Sequence, residues 1–346
     1  MFNKIKQSIE KELPLFLNKL KSSYPIYKIS PLLFNSIEEY VLRPGKRVRP
    51  TLFIIGYLGY SRRKATNLYT SALALELLHD FMLVHDDIID RSSLRRGKPS
   101  MHTLLNKNLQ KNRLAKFNGE DLAIIIGDVM YAIALHAFLE VKESPANKEA
   151  AFKKLIEAAY FTGTGEFIEL LYGAKELQKI KQVDIYRIYD LKTAYYTFSF
   201  PLTIGATLAG ADPKQIRMLF SYGAFLGRAF QIKDDILGMF GEKKEIGKSI
   251  LTDLKEGKRT LLIWHAFNNC NASERAKLKK LLGKKDAALK DLQCLRKIIV
   301  SAGSLDYAKN KITALLYQAK KIYPKLSMSE KYKKSLRLFT NDILRT

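Results

Sequence analysis

A chain of 346 residues, 47% of them hydrophobic, can bury a sizeable core, and this composition excludes an intrinsically disordered polypeptide. The formal net charge of +25 suits nucleic acid, an anionic membrane surface or a polyphosphorylated small substrate, and charge alone does not choose among them. The lysines and arginines are scattered and lack the interleaved aromatic pattern of an RNA-binding sheet. We therefore expect a solvated basic surface and no nucleic-acid partner.

The first twenty residues form a basic, amphipathic segment that also carries Glu10 and Glu12. Because it has no continuous apolar core and no small-residue cleavage site, we predict a surface helix rather than a targeting peptide. Further along, apolar runs such as 121–128 are interrupted well before the roughly 18 residues that a membrane span requires. We expect no transmembrane segment.

Apolar residues recur at helical spacing almost throughout the chain, as at Leu73, Leu77 and Leu78, and alternating strand-like runs are scarce. Breaks rich in proline, glycine or polar residues fall at 43–45, 96–99, 144–145, 211–213, 238–247 and 323–324. This pattern predicts an all-α fold with ten or more helices. No linker divides the chain, so we predict a single domain over 1–346.

The two cysteines, Cys270 and Cys294, are not spaced like a zinc knuckle or a redox motif. They are typical of a reduced, cytoplasmic protein.

A first group of acids ends a predicted apolar helix in the segment HDFMLVHDDIID, residues 79–90. On a helix, Asp86 and Asp90 lie one turn apart, about 6 Å along the axis and about 40° around it, so their carboxylates can hold a magnesium ion together. Asp87 points elsewhere. Acids beside a core are costly unless cations neutralise them, although a solvated helix end would also explain this segment taken alone.

A second group, in FQIKDDILG at 230–238, again places paired acids, Asp234 and Asp235, behind an apolar helical run. If the two helices face each other, their carboxylates would bracket magnesium ions and bind a diphosphate from both sides. Cationic residues alternate with the two acidic groups: Lys46, Arg47, Arg49, Arg95, Arg96, Lys192, Lys248 and Lys258. Each alone is more typical of surface charge, but the alternation favours a diphosphate substrate.

Six segments stand in the order seen in polyprenyl synthetases: GKRVRP, HDFMLVHDDIID, RRGKP, LKTAYYTF, FQIKDDILG and EIGKSILTDLKEGKRT. Over residues 45–262 the chain resembles that family, and its second acidic motif is similar to archaeal examples. The resemblance implies the isoprenoid-synthase fold, a helical bundle around a central cavity, usually as a homodimer. It also implies a reaction that joins isopentenyl diphosphate to an allylic diphosphate.

The same resemblance implies a role for each motif residue. Magnesium, with manganese as an alternative, would be bound by Asp86, Asp90 and Asp234, supported by Asp87 and Asp235. Isopentenyl diphosphate would be bound by Lys46, Arg49, His79 and Arg96. The allylic diphosphate would be held by Arg95, Lys192 and Lys258, with Lys248 closing over it, and the reacting centre would be lined by Thr193, Phe230 and Gln231. Gly238 replaces the final aspartate of the family's full DDxxD pattern, so the second site has less negative charge with which to attract a metal ion.

The resemblance also places the floor of the product cavity at Phe81 and Met82, just before Asp86, with Leu78 as a further candidate. An ideal helical wheel puts Met82 on the aspartate face and Phe81 about 160° from it, so geometry and resemblance disagree for Phe81. We follow the resemblance. One aromatic residue rather than two, with no insertion between Asp87 and Asp90, favours geranylgeranyl diphosphate over farnesyl or longer-chain products.

Two other functions fit the sequence less well. A terpene cyclase shares the acidic motifs but has no need to bind a second diphosphate, and the cations Lys46, Arg49 and Arg96 argue against it. A noncatalytic subunit that modifies an active partner is disfavoured, because the acids and cations of both motifs are intact.

Overall fold

A computed structural model gives the structure of the protein and describes residues 1–109, 116–241 and 251–345. Within these ranges the chain is helical almost throughout. The strands found there form one short antiparallel ribbon, in which Leu94 pairs with Pro99 and Arg95 with Lys98. The predicted all-α fold with ten or more helices is confirmed.

The first part of the chain contains eight helices among its described residues, with the ribbon between the fifth and the sixth. They are α1 (Phe2–Ser23), α2 (Ile26–Ile29), α3 (Pro31–Val41), α4 (Val48–Tyr60), α5 (Leu68–Ile89), strands β1 (Leu94–Arg95) and β2 (Lys98–Pro99), α6 (Met101–Leu109), α7 (Gly119–Leu139) and α8 (Pro145–Gly173).

The later elements include one π-helix and two short 3₁₀ turns. They are a 3₁₀ turn (Leu177–Lys179), α9 (Gln182–Ile188), the π-helix (Tyr189–Ser199), α10 (Phe200–Leu208), α11 (Pro213–Phe240), α12 (Thr252–Glu256), α13 (Leu261–Asn269), α14 (Ala272–Leu281), α15 (Leu289–Ser301), α16 (Ser304–Ile322), a 3₁₀ turn (Tyr323–Lys325) and α17 (Glu330–Arg345).

Local sequence explains most of the helix starts. Helix α7 begins with a capping box, in which the Asn118 side chain accepts from the first turn and Asp121 accepts from the Asn118 N–H. Asp212 caps α11 ahead of Pro213, as the predicted break requires. The break predicted at 238–247 is wrong at its start, because α11 continues through Gly238 to Phe240. A single glycine inside a helix is tolerated, and residues 242–250 lie outside the described residues.

The chain divides into two compact units. The first comprises Met1–Leu155, Pro201–Ala211 and Ser329–Ser335, and the second comprises Ile156–Phe200, Asp212–Met328 and Leu336–Thr346. The prediction of a single domain concerns how these units fit together, and it stays a prediction.

Close helix contacts organise the first unit. Helix α5 packs against α4 and α7. Helices α4 and α10 approach backbone to backbone: a Cβ on Gly56 would lie 2.2 Å from the Leu202 carbonyl oxygen, and one on Gly205 would lie 2.1 Å from that of Phe53. Only glycine fits at these two positions. The contact keeps α4, and the cationic segment that precedes it, in a fixed place.

In the second unit, α11 packs against the π-helix and α16. The π-helix and α11 also meet at glycine, since a Cβ on Gly227 would lie 2.3 Å from the Cα of Ala194. This close approach brings the LKTAYYTF segment next to the second acidic motif. π-Helical segments occur frequently at functional sites, because they change the direction in which side chains project.

Helix α7 is long and apolar enough to cross a membrane, by length and composition only. This corrects the expectation that every apolar run stops well short of a span. A single such helix is weak evidence, because a core helix of a globular protein passes the same test. In this structure 39% of the most apolar stretch of α7 is buried, and α7 packs against α5 and α6.

Candidate active site

The first acidic motif lies at the C-terminal end of α5. The Asp90 N–H donates to the Asp86 carbonyl at 2.8 Å, so the two residues stand one helical turn apart, and both side chains are partly exposed. The last carbonyls of a helix add partial negative charge here, which favours a bound cation. The geometry therefore agrees with the one-turn spacing inferred from the sequence.

The donor set at this end of α5 suits magnesium. Among the residues that the structure describes, no group of three or more His, Cys, Asp or Glu side chains is arranged to hold a metal. Magnesium is usually bound by one or two carboxylates, and water and substrate phosphates complete its coordination. The carboxylates of Asp86 and Asp90 are oxygen ligands of the kind that Mg²⁺ takes.

Asp87 is fully buried and points away from solvent. The Arg95 guanidinium donates to Asp87 Oδ1 from Nε at 2.8 Å and to Asp86 Oδ2 from Nη2 at 3.1 Å. Arg95 stands on β1, so its side chain links the ribbon to the acidic motif. The sequence assigned Arg95 to the allylic diphosphate and Asp87 to support; both assignments stay predictions.

Asp87 is the last of three buried acids on one face of α5, which we call the acid stripe: Glu76, Asp80 and Asp87. Each member is paired with an arginine from another segment. Arg47 Nη1 donates to Glu76 at 2.5 Å, and Arg96 Nη2 donates to Asp80 at 3.3 Å. Sequence reasoning did not identify Glu76, Asp80 or the role of Arg47. The available signal was the spacing of four and seven residues within an otherwise apolar helix.

The cations around the acid stripe differ in exposure. Lys46 is exposed, Arg49 is partly buried, and Arg47 is buried with left-handed backbone at φ 50°. Desolvation, and then the positive charges of Arg49 and Arg96, hold the pKa of His79 well below its usual range. His79 is consequently neutral near pH 7, and it can offer a hydrogen bond to a diphosphate but no charge.

One candidate floor residue, Phe81, contacts aromatic rings of α5 and α7. Phe81 stacks edge-on against His85, with ring centroids 4.8 Å apart, and touches Tyr131 of α7 at 5.3 Å. His85 lies over Gly127, where a Cβ would be 2.3 Å from the imidazole Nε2. Phe81 therefore faces α7. Tyr131 is a neighbour that the sequence did not reveal.

Of the other two floor candidates, Leu78 is buried and Met82 is partly exposed.

The second acidic motif lies on α11 in the second unit. Asp234 is exposed, whereas Asp235 is buried and accepts hydrogen bonds from the Tyr189 hydroxyl and from Gln231 Nε2, the latter at 2.9 Å. Thr193 Oγ1 donates to Gln231 Oε1 at 2.6 Å, which links the π-helix to α11. Asp235 thus orients Gln231, and through it Thr193, which are two of the three residues predicted to line the reacting centre. Tyr189 was not predicted.

Lys192, on the π-helix, lies between two glutamates of α8, Glu166 at 2.6 Å and Glu169. Neither glutamate was identified from the sequence. Lys258 pairs with Glu256 at 3.0 Å, and the Phe230 ring packs against that of Phe198. Each of these contacts lies within the second unit.

Of the residues predicted for the site, the first unit contains Lys46, Arg49, His79, Arg95, Arg96, Asp86, Asp87 and Asp90, and the second contains Lys192, Thr193, Phe230, Gln231, Asp234, Asp235 and Lys258. Lys248 lies outside the described residues.

The model of the family described as polyprenyl synthetase matches residues 30–299 of the chain. The chain belongs to the polyprenyl synthetase family. Family membership makes it a prenyltransferase, and the resemblance drawn from the six motifs is confirmed.

Relatives of the chain within the polyprenyl synthetase family include archaeal enzymes. It is 33% identical over 284 residues to a geranylgeranyl diphosphate synthase of Sulfolobus acidocaldarius, with 81% of this chain and 80% of the relative covered. It is also 33% identical over 297 residues to a geranylfarnesyl diphosphate synthase of Aeropyrum pernix, with 84% and 87% covered.

A solved structure shares the fold. The geranylgeranyl pyrophosphate synthase of Corynebacterium glutamicum, crystallised with isoprenyl diphosphate and magnesium, matches with a TM-score of 0.90 over 99% of both chains, at 23% identity. This likeness supports the all-α polyprenyl synthetase fold of the chain.

Proposed function

We propose that this polyprenyl synthetase is a magnesium-dependent enzyme that condenses isopentenyl diphosphate with allylic diphosphates, and that geranylgeranyl diphosphate is its main product. The observation that carries the proposal is the pair of carboxylates at the end of α5, Asp86 and Asp90, next to a cluster of arginines in the same unit. Relatives named for geranylgeranyl and geranylfarnesyl diphosphate synthesis support a product in this length range.

The substrate assignments are those that the resemblance to polyprenyl synthetases implies. Lys46, Arg49, His79 and Arg96 would bind isopentenyl diphosphate. Arg95, Lys192 and Lys258 would hold the allylic diphosphate, with Lys248 closing over it. Guanidinium forks suit a diphosphate bidentately, whereas lysine acts as a point charge.

Asp86, Asp90 and Asp234 would hold magnesium, which supplies positive charge to the allylic diphosphate as its carbon–oxygen bond breaks. The chain's own part is to position the two substrates and to exclude water from the reacting centre. Asp235 keeps Gln231 and Thr193 oriented beside the reacting carbon, and aromatic side chains such as Phe230 shield the allylic cation. The double bond of isopentenyl diphosphate then attacks that cation, and a proton is lost to the departing diphosphate. No nucleophilic side chain takes part.

The proposed activity is tested with the purified chain, isopentenyl diphosphate and, separately, dimethylallyl, geranyl and farnesyl diphosphates. We expect condensation with magnesium or manganese and none in excess chelator, because the carboxylate pair alone would repel the diphosphate. Chromatography of the dephosphorylated products should give a twenty-carbon alcohol as the main species. Full turnover in chelator would refute the metal requirement, and a cyclic terpene product would refute the reaction class.

We also propose that two copies of the chain pair through α8. The part of this helix in the second unit exposes an apolar stripe: Ile156, Tyr160, Phe167, Leu170 and Leu171. Contiguous exposed apolar surface of this kind is typical of an oligomer interface, and a two-fold pair would bury it against itself. Light scattering should give about twice the 39.5 kDa chain mass, and Phe167→Glu should lower it. A monomer at working concentration would contradict the pairing.

For location, we propose the cytoplasm. The structure places Cys270 in the core and leaves both cysteines as free thiols, as expected in a reducing compartment.

A further inference from the structure

The acid stripe contains one carboxylate that its surroundings compensate poorly. Glu76 accepts from Arg47 at 2.5 Å, and Asp87 accepts from two nitrogens of Arg95. Asp80 accepts only from Arg96 Nη2, at 3.3 Å, and among the described residues its Oδ2 has no hydrogen-bond partner although it is fully buried. A buried carboxylate with one long contact is costly in its charged form.

Asp80 is surrounded by charges from several segments of the first unit. The neighbours that act on it electrostatically are Glu76 on α5, Arg96 on the ribbon turn, Arg47 and Arg49 at the start of α4, and Tyr40 on α3. Burial, and then the Glu76 carboxylate, raise the pKa of Asp80 to about 8, against the opposing effect of the arginines. Glu76, the other acid in contact with these arginines, already forms an ion pair with Arg47.

Arg96 connects Asp80 to substrate binding. Its Nη2 lies 3.3 Å from Asp80 Oδ1 and 3.8 Å from Glu76 Oε1, and its backbone is left-handed at φ 54°. Among the described residues, Arg96 Nη1 is buried and has no hydrogen-bond partner. The guanidinium is thus held through Nη2, by Asp80 at 3.3 Å and by Glu76 at 3.8 Å.

We propose that Asp80 is a positioning residue that holds Arg96 for the diphosphate of isopentenyl diphosphate, and that uptake of a proton by Asp80 strengthens that binding. The inference rests on the proposed function, which assigns Arg96 to this substrate. When Asp80 is neutral it still accepts from Arg96, and the cluster carries one more positive charge for the trianionic ligand. When Asp80 is ionised, its charge opposes the ligand, and Arg96 is held more tightly to Asp80.

The direction with pH follows from the raised pKa. Asp80 is neutral below about pH 8 and ionised above it, so binding should weaken as pH rises through that value. One charge within the cluster corresponds to roughly a fivefold loss of affinity between about pH 7 and about pH 9, with screening by solvent included. The substrate's own phosphate ionisation has the same effect on every variant and cancels in the comparison.

The experiment is calorimetric titration of isopentenyl diphosphate into the full chain without allylic substrate, at several pH values. In the wild type we expect the affinity to fall with pH as above. In Asp80→Asn, which keeps an acceptor for Arg96 but cannot ionise, the roughly fivefold loss due to Asp80 should be absent, and only the change caused by the substrate's own phosphate ionisation should remain. Asp128→Asn, at an exposed aspartate of α7, makes the same charge change away from the stripe and should behave like the wild type.

A second measurement needs no variant. Because binding favours neutral Asp80, the wild type should take up a fraction of a proton on binding near pH 8, seen as a dependence of the heat on the buffer's ionisation enthalpy. No uptake, or the same pH dependence in Asp80→Asn as in the wild type, would overturn the inference. Asp80→Asn that binds weakly at every pH would also overturn it, since Asp80 would then be only structural. If the wild type fails to bind isopentenyl diphosphate at any pH, the proposed function itself fails.

Discussion

Replacing Asp86 or Asp90 by alanine should lower kcat by about 10³-fold or more, while the protein remains folded. Both side chains are partly exposed at the end of α5, so their removal leaves no buried cavity. Each substitution removes the charge of one of the three aspartates that would hold magnesium while the allylic carbon–oxygen bond breaks. Initial rates with saturating magnesium and both substrates measure the effect, and circular dichroism checks the fold.

Asp86 also accepts a hydrogen bond from Arg95, so Asp86→Ala changes two interactions at once. Arg95 keeps its 2.8 Å bond to Asp87, and Asp86→Asn retains an acceptor, which separates loss of charge from loss of that contact. Asp128→Ala, on the exposed face of α7, is the matched control and should retain wild-type rates. If Asp90→Ala kept a tenth or more of the activity with an unchanged magnesium requirement, the metal assignment would be wrong.

Replacing Phe81 by alanine should lengthen the product by one or more isoprene units. The Phe81 ring fills the space between α5 and α7, where it contacts His85 and Tyr131. Because close-packed interiors do not refill a lost ring completely, its removal leaves room into which a growing chain can extend. Chromatography of dephosphorylated products, with farnesyl diphosphate as primer, measures the shift.

A variant of Tyr131 provides a further test of the cavity floor. The double variant Phe81→Ala with Tyr131→Ala should give longer products than Phe81→Ala alone, since the two rings are in contact and removing both opens more space. Tyr131→Phe keeps the ring and should leave the distribution unchanged. An unchanged distribution in Phe81→Ala, together with longer products from Met82→Ala or Leu78→Ala, would move the floor to the aspartate face of α5.

Much of the fold could be predicted from local patterns in the sequence. Apolar residues at helical spacing and breaks such as Asp212 before Pro213 predict helices and their starts, because these depend on neighbouring residues alone. The end of α11 could not be predicted in this way. Gly238 weakens a helix by about 1 kcal/mol, and the packing of α11 against the π-helix and α16 outweighs that cost.

In the candidate site, too, the residues within continuous segments could be predicted, and those that depend on tertiary packing could not. Asp86, Asp90 and the cations could be found from spacing and resemblance, since they belong to continuous segments. The arginine partners of Glu76 and Asp80, and the contacts of Tyr189 and Tyr131, could not, because each depends on which segments meet in the fold. Glu76 and Asp80 look like ordinary helix residues until Arg47 and Arg96 are seen to approach them from other segments.

Three of the four non-glycine residues with left-handed backbone in the described chain are arginines: Arg47, Arg91 and Arg96, with φ of 50°, 51° and 54°. Glycine adopts this conformation without penalty, whereas a residue with a Cβ is strained by about 1 kcal/mol or more. Selection for folding stability alone would therefore favour glycine at all three positions. Arg47 and Arg96 instead supply the guanidinium groups that meet the acid stripe. Replacing these residues by glycine to raise thermal stability would relax the backbone, but it would also remove the positive charges of the arginines. The substitutions that look most stabilising at these positions are therefore ones to avoid.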